Sequence, residues 1–286
     1  LVDFATFADN KNDIKAELWD NYRIDSLNTE YYDFDEPIIW GYAVGKLIEA
    51  FAKNLKKAEE GARVIAHFHE WLSAAGLLYL KSRNAHVATV FTTHATTLGR
   101  TMTGHELSIY DSLETINADE EAYKFKIHFK HQTERAAAQN TDVFTTVSEL
   151  TALESKHFLG KQPDLLVPNG LNVDKFPTFE EASVRHRQIK RKLREFSVYY
   201  FFPYYTFDMQ DVLFYFIFGR YEFHNKGIDV FIKALGKLNE ALKKEKSAKT
   251  IIAFIWIPAN IRGIRTELLE GKTYYNDIKV AINDEI

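Results

Sequence analysis

The stretch Thr92-Thr93-His94-Ala95-Thr96-Thr97-Leu98-Gly99-Arg100 puts one imidazole among four threonine hydroxyls, with a guanidinium within a turn or two. Those groups suit a ligand rich in hydroxyls and carrying phosphate, because each can donate a hydrogen bond and Arg can grip an oxyanion in two places. The plainer alternative is a histidine that only satisfies its neighbours. A second cluster, His67-Phe68-His69-Glu70-Trp71, invites a metal reading. The zincin pattern needs two His at i and i+4 on one helix, and here they stand two apart, so that motif fails. The remaining reading is a strand-to-helix turn with Glu70 at a helix N-terminus, where the dipole favours a carboxylate. The third cluster runs Gly219-Arg220-Tyr221-Glu222-Phe223-His224-Asn225-Lys226-Gly227. Two glycines bracket a loop whose Arg220 and Lys226 precede a helix, which makes an anion site; a merely solvated loop is the competing reading. Neither a Walker A loop nor a G-x-G-x-x-G fingerprint is present, which disfavours P-loop NTPases and nicotinamide dehydrogenases.

The elements that must hold these clusters alternate between strand and helix. Residues 64–68 (VIAHF), 87–92 (VATVFT), 143–147 (VFTTV) and 164–168 (DLLVP, ended by Asn169-Gly170) read as strands, as do 212–218 and 250–258. Residues 71–81 are apolar on nearly every face, as in a buried helix. Ser148 is placed to cap the helix after it. Ile228, Phe231, Leu235, Leu238 and Leu242 mark one helical face. Residues 118–139 hold no Gly or Pro and read as a helix despite a strand-like alternation at Tyr123, Phe125, Ile127 and Phe129. The first residues, LVDF, look strand-like. The basic run 185–194 (RHRQIKRKLR) and the aromatic run 199–205 (YYFFPYY) break the rhythm and suggest a helical insertion. Continuous apolar strands between helices imply parallel sheet covered on both sides, with ligands beyond the C-terminal strand ends.

Composition narrows the function. Hydrophobic residues make up 46% and charged residues 27%, as in ordinary globular chains. A net charge of −4 gives no reason to expect nucleic acid or an anionic membrane, so the 185–205 region reads as a solvated helix face beside an apolar surface. The absence of cysteine excludes disulfides and thiolate chemistry and fits a reducing, cytoplasmic setting. No apolar run approaches the ~20 residues of a spanning helix.

The runs FHEWL, VATVFTTHATTLGR, ERAAA followed by VFTTVSELTALE, PNGLNVDKF and GRYEFHNKGIDVFIKAL occur in this order. The chain resembles the eukaryotic-type glycogen synthases of fungi and animals almost from end to end. The resemblance implies an α/β, GT-B glycosyltransferase fold with two Rossmann-like domains. Residues 1–180 would form the C-terminal part of the first, 181–209 a helical and aromatic insertion, and 210–286 the start of the second. It implies retaining transfer of glucose from UDP-glucose to the 4-hydroxyl at a non-reducing glycogen end. Arg220 and Lys226 would hold the diphosphate, with Gly219 and Asn169 on the donor side. His94 would lie beside the transferred glucose, Arg100 would line the same cleft, and Glu70 would face the sugar and acceptor. No metal or other cofactor is needed, since cationic side chains neutralise the leaving group.

The same resemblance carries departures. The family's Lys-Gly-Gly loop would precede residue 1, and its E-x7-E pair and arginine-rich helix would follow residue 286, so this stretch alone is expected to be inactive. The family's His-Glu-Phe-Gln-Asn-Leu-His type run, which helps bind glucose 6-phosphate, is replaced by residues 177–186, where only His186 matches and Glu180 would repel phosphate. Weakened or absent activation by that sugar phosphate is expected. Glycogenin and homo-oligomers of the intact protein are partners implied by family alone. The competing readings are a non-catalytic glycogen- or partner-binding module on the same fold, and a related sucrose or trehalose-phosphate transferase.

Overall fold

The computed structural model describes residues 2–202 and 204–284. The chain divides into two compact units between Gly170 and Leu171. In the first unit the elements run α1 (Lys11–Tyr22), α2 (Tyr32–Ala58), β1 (Ile65–His69), α3 (Glu70–Ser82), β2 (Ala88–Thr93), α4 (Thr97–Gly104), α5 (Ala118–Lys124), α6 (His128–Asn140), β3 (Val143–Thr146), α7 (Glu149–Glu154) and β4 (Leu165–Leu166). The four strands pair in sequence order and all are parallel, with His67 beside Val90 and Phe91 beside Phe144. Parallel neighbours need a crossover, and helices supply each one up to β3.

The core explains the helices. Every residue from Ala74 to Leu80 of α3 is buried, as an all-round apolar helix requires. Ile38, Phe68, Phe91, Ala137, Phe144 and Leu159 join it in one cluster. A second, smaller cluster gathers Leu98, Met102, Ile109, Leu113, Ala122 and Phe158 under α4. Ser148 caps α7 as its position predicts, accepting the Thr151 N–H at 3.2 Å.

Three expectations need correction. The single helix over 118–139 is two helices with a break at 125–127, where Lys126 takes φ 56°. Phe125 and Ile127 flank that turn and pack against the smaller cluster, so tertiary burial overrides the unbroken helical pattern. The strand-like opening is not a strand: residues 2–4 are irregular and lead into a 3₁₀ turn, Ala5–Asn10, while Phe4 packs on the main core; Leu1 lies outside the described residues. The sheet is not covered on both sides throughout. In β1, Ala66 and Phe68 are buried, while Ile65, His67 and His69 on the other face are exposed.

The second unit holds α8 (Phe179–Phe201), β5 (Val212–Phe218), α9 (Ile228–Lys244), β6 (Thr250–Trp256) and α10 (Thr266–Asp284). The helix expected in the insertion begins with a capping box, Thr178 and Glu181 exchanging hydrogen bonds with each other's backbone. Residues 185–192 along it are exposed, in agreement with a solvated face. Of the aromatic run, 199–201 finish α8; Pro203 lies outside the described residues. β5 and β6 pair in parallel, Val212 beside Thr250 through Phe218 beside Trp256.

Candidate active site

The loop that follows β2 is the most constrained part of the first unit. Residues 93–97 are polar apart from Ala95, yet Thr93 and Thr96 are fully buried, so their hydroxyls need partners. Glu134 and Glu154 supply them, and a third glutamate, Glu70, holds the backbone between. Glu70, at the turn from β1 into α3, accepts the His94 backbone N–H at 2.9 Å. Glu134, on α6, accepts the Thr97 N–H at 2.8 Å and bonds the Thr93 hydroxyl at 3.1 Å. Glu154, at the end of α7, takes the Thr96 hydroxyl on one oxygen and the Tyr110 hydroxyl, at 2.7 Å, on the other. Thr96 in turn caps α4 by accepting the Gly99 N–H at 3.1 Å. Gly99 has to be glycine here: a Cβ would stand 2.4 Å from Glu154 Oε2 and 2.6 Å from Thr96 Oγ1.

These contacts shape the charges as well. Burial raises the Glu70 carboxyl above its ordinary range, opposed by the His94 N–H bond and by the Arg100 charge. Burial drives Glu134 further, to about 8, and the neighbouring Glu70 charge adds to the shift against the bonds from Thr97 and Thr93. At neutral pH the fully buried Glu134 is therefore mostly a neutral acid. Glu70 also sits at φ 62°, a left-handed conformation that costs a non-glycine residue of order 1 kcal/mol or more. Such strain concentrates at sites where side-chain direction matters.

His94 is half-buried at this loop, and its Nε2 lies 3.1 Å from Nδ1 of His69. One of the two rings donates and the other accepts across that contact. His67 lies beside His69, the rings tilted with centroids 4.2 Å apart, and bonds the Thr92 hydroxyl at 2.7 Å. The H-x-H-E cluster that suggested a metal thus commits one ring nitrogen of each histidine, His67 Nε2 to Thr92 and His69 Nδ1 to His94. Among the described residues no group of three or more His, Asp or Glu is arranged to hold a metal ion. Arg100 projects from α4, exposed, within electrostatic reach of Glu70. The structure therefore brings His94, Glu70 and Arg100 together at the C-terminal ends of β1 and β2, where parallel sheets present their ligand sites. Asn169 lies exposed in the loop after β4.

In the second unit the Gly219–Gly227 loop joins the C-terminal end of β5 to the N-terminus of α9. Gly219 donates to the Trp256 carbonyl at 3.2 Å and carries the Lys226 side chain across its face, where a Cβ would meet it at 3.1 Å. Arg220 is largely exposed and pairs with Glu222 at 3.2 Å. His224 faces Asp229 at 3.4 Å, and Gly227 enters the helix at φ 68°. Two cations thus precede the N-terminus of a 17-residue helix. His186 stands exposed on α8, beside a cleft of about 400 Å³ that it lines with Ile189, Lys190, Leu193 and residues of β5. Glu180 and Glu181 occupy the first turn of that helix, where the dipole favours acids.

Reading from sequence singled out His94, Glu70 and Arg100 but passed over Glu134, Glu154 and His69 as groups that hold the loop. Glu134 and Glu154 were visible only as letters inside ERAAA and VSELTALE. An acid in an otherwise apolar or small-residue helix face is the signal that finds them, because burial demands partners.

The family model described as Glycogen synthase matches residues 1–285. Glycogen [starch] synthase of Neurospora crassa is 39% identical over 283 residues, covering 99% of this chain and 39% of that protein. Isoform 2 of Saccharomyces cerevisiae is 38% identical over 285 residues, covering 99% of the chain and 40% of that protein. The Caenorhabditis elegans protein is 37% identical over 287 residues, covering 99% and 42%. The chain thus spans about two-fifths of the length of these relatives. With a matched model along nearly its whole length, and with the His94 loop and the Arg220 loop each at the C-terminal end of a parallel strand, the chain belongs to the glycogen synthase family, the glycosyltransferases that build glycogen.

Proposed function

We propose that the whole protein is a glycogen synthase that transfers glucose from UDP-glucose to the 4-hydroxyl at the non-reducing end of an α-1,4-glucan, with retention. Its fold would be GT-B, built from two Rossmann-like domains. The observation that carries the reading is the His94 loop: an imidazole held beside a strained, partly buried Glu70 and the cationic Arg100. In this reading His94 and Glu70 contact the sugars. Arg220 and Lys226, with Arg100, bind the diphosphate and neutralise charge as UDP departs, the work a divalent ion does elsewhere. Gly219 lets Lys226 lie close to the chain, and Asn169 helps shape the donor side. His186 is the remnant of a regulatory site, and Glu180 beside it weakens any response to glucose 6-phosphate.

The setting we propose is cytoplasmic, with glycogen, glycogenin and further copies of the protein as partners. Among the described residues no helix is long and apolar enough to cross a membrane.

The test is glucose transfer from UDP-glucose by the whole protein and by its Arg220→Ala and Lys226→Ala variants. Loss of a charged hydrogen bond to phosphate costs about 1.5–3 kcal/mol, so each variant should be slower by roughly 10- to 150-fold. Wild-type rates in both variants would sink the diphosphate assignment.

A further inference from the structure

Glu134 lies in the core, away from the surface that His94 presents, and nothing in the proposed chemistry uses it directly. Its carboxyl nevertheless spans the His94 loop, reaching the Thr93 side chain at one end and the Thr97 backbone at the other. Glu70 meets the middle of the same loop at the His94 N–H. We infer that Glu134 is the positioning residue of the His94 loop, holding the Thr93 hydroxyl and the Thr97 N–H on its two carboxyl oxygens, and so sets the direction of His94.

The hydrogen-bond inventory fits this assignment. A carboxyl protonated by burial has one O–H and one carbonyl oxygen, and the loop presents the hydroxyls of Thr93 and Thr97, which can donate or accept, and the Thr97 N–H, which must donate. Both bonds are then satisfied with no buried charge. The charge environment agrees. The Glu70 charge adds to the rise at Glu134, while Arg100 acts on Glu70. On α6 itself the cations are engaged elsewhere, Lys130 with Asp33 and Arg135 with Asp119. His131, one turn away, is held neutral by burial. Burial raises the Glu134 carboxyl to about 8. Raising the pH through that value puts a second negative charge beside Glu70 and removes the carboxyl O–H of Glu134.

This inference rests on the proposed role of His94, but its first readout does not. Hydrogen exchange of the 93–100 segment in the whole protein, corrected for intrinsic rates, should show protection in the wild type and in Glu134→Gln, whose amide reproduces the donor and acceptor of the neutral acid. In Glu134→Ala, and in Glu134→Asp if the alanine variant does not fold, the segment should exchange about tenfold faster while β3 stays protected. For transfer, Glu134→Gln should keep kcat within about threefold, and the truncating variants should lose about tenfold or more in kcat with little change in KM for the donor. The wild-type kcat should also fall as pH rises through about 8, and Glu134→Gln should lack that step. Unchanged protection and kcat in the truncating variants would overturn the positioning role. Glutamine as damaging as alanine would overturn the neutral acid. Should the wild type transfer no glucose, the proposed function fails and the exchange data still decide the role of Glu134.

Discussion

Glu70 shows how much one residue can be asked to do at this site. Its backbone is left-handed, its carboxyl is partly desolvated, and its oxygen holds the His94 N–H. Gly99 is constrained from the opposite direction, since Glu154 and Thr96 already occupy the space a methyl group would take. Gly99→Ala should therefore displace the Glu154 carboxylate and loosen the cap of α4, destabilising the first unit by about 1–3 kcal/mol in urea melts. A variant as stable as the wild type would show that the carboxylate moves aside freely. The sequence made His94 and Arg100 legible because their side chains are chemically conspicuous after a strand. Glu154 was not legible, because its meaning comes from Thr96, 58 positions away in the chain.

Among the elements, α6 carries a pH signature that can be read in stability. Glu134 has a folded value of about 8, above the ordinary 4.5, so the native state holds its proton more tightly than the unfolded state does. Stability from this group is full below about 4.5, falls as pH rises, and levels off above about 8. His131 on the same helix is pushed the other way, from 6.5 down to about 4, so its contribution is lost as pH falls through that window. The two oppose each other below 6.5, and between 6.5 and 8 the glutamate dominates. Urea melts over that upper range should show stability declining by up to about 1.4 kcal/mol per pH unit, and Glu134→Gln should flatten most of the slope. An equal slope in both proteins would refute the raised value.

The α1–α2 pair offers a second test at this scale. Lys15 is almost fully buried and pairs with Asp35 at 2.5 Å while donating to the Thr29 carbonyl at 2.7 Å. Asp35→Ala strands that ammonium inside the protein and should cost about 3–5 kcal/mol by chemical denaturation. A loss under 1 kcal/mol would mean that water reaches Lys15. Nothing in the local sequence marks this pair, because Lys15 and Asp35 lie on different helices and only their packing buries them.

Across the whole molecule the two units differ in how thoroughly their strands are covered. The first has four strands with Phe91 and Phe144 fully buried, whereas in the second Phe216, Phe218 and Trp256 remain exposed on a two-stranded sheet. Two strands alone bury little, and their hydrogen bonds open more readily. Hydrogen exchange on this chain should therefore be slowest in β2 and β3 and at least about tenfold faster in β5 and β6. Equal protection in both sheets would contradict the difference in burial.

The sequence by itself determined the alternation of strand and helix, the parallel pairing, the Ser148 cap and the two polar loops at strand ends. Those features follow from periodicity, turn residues and the side chains' own chemistry, all of which are local. Tertiary structure alone decided that the 118–139 pattern breaks at 125–127, that β1 keeps one face open, and that His69 turns to His94. It also decided that three glutamates from separate helices close on one loop. Each of these depends on which distant groups share a buried space, and burial is what turns an unremarked acid into a neutral clamp or a histidine pair into a hydrogen bond.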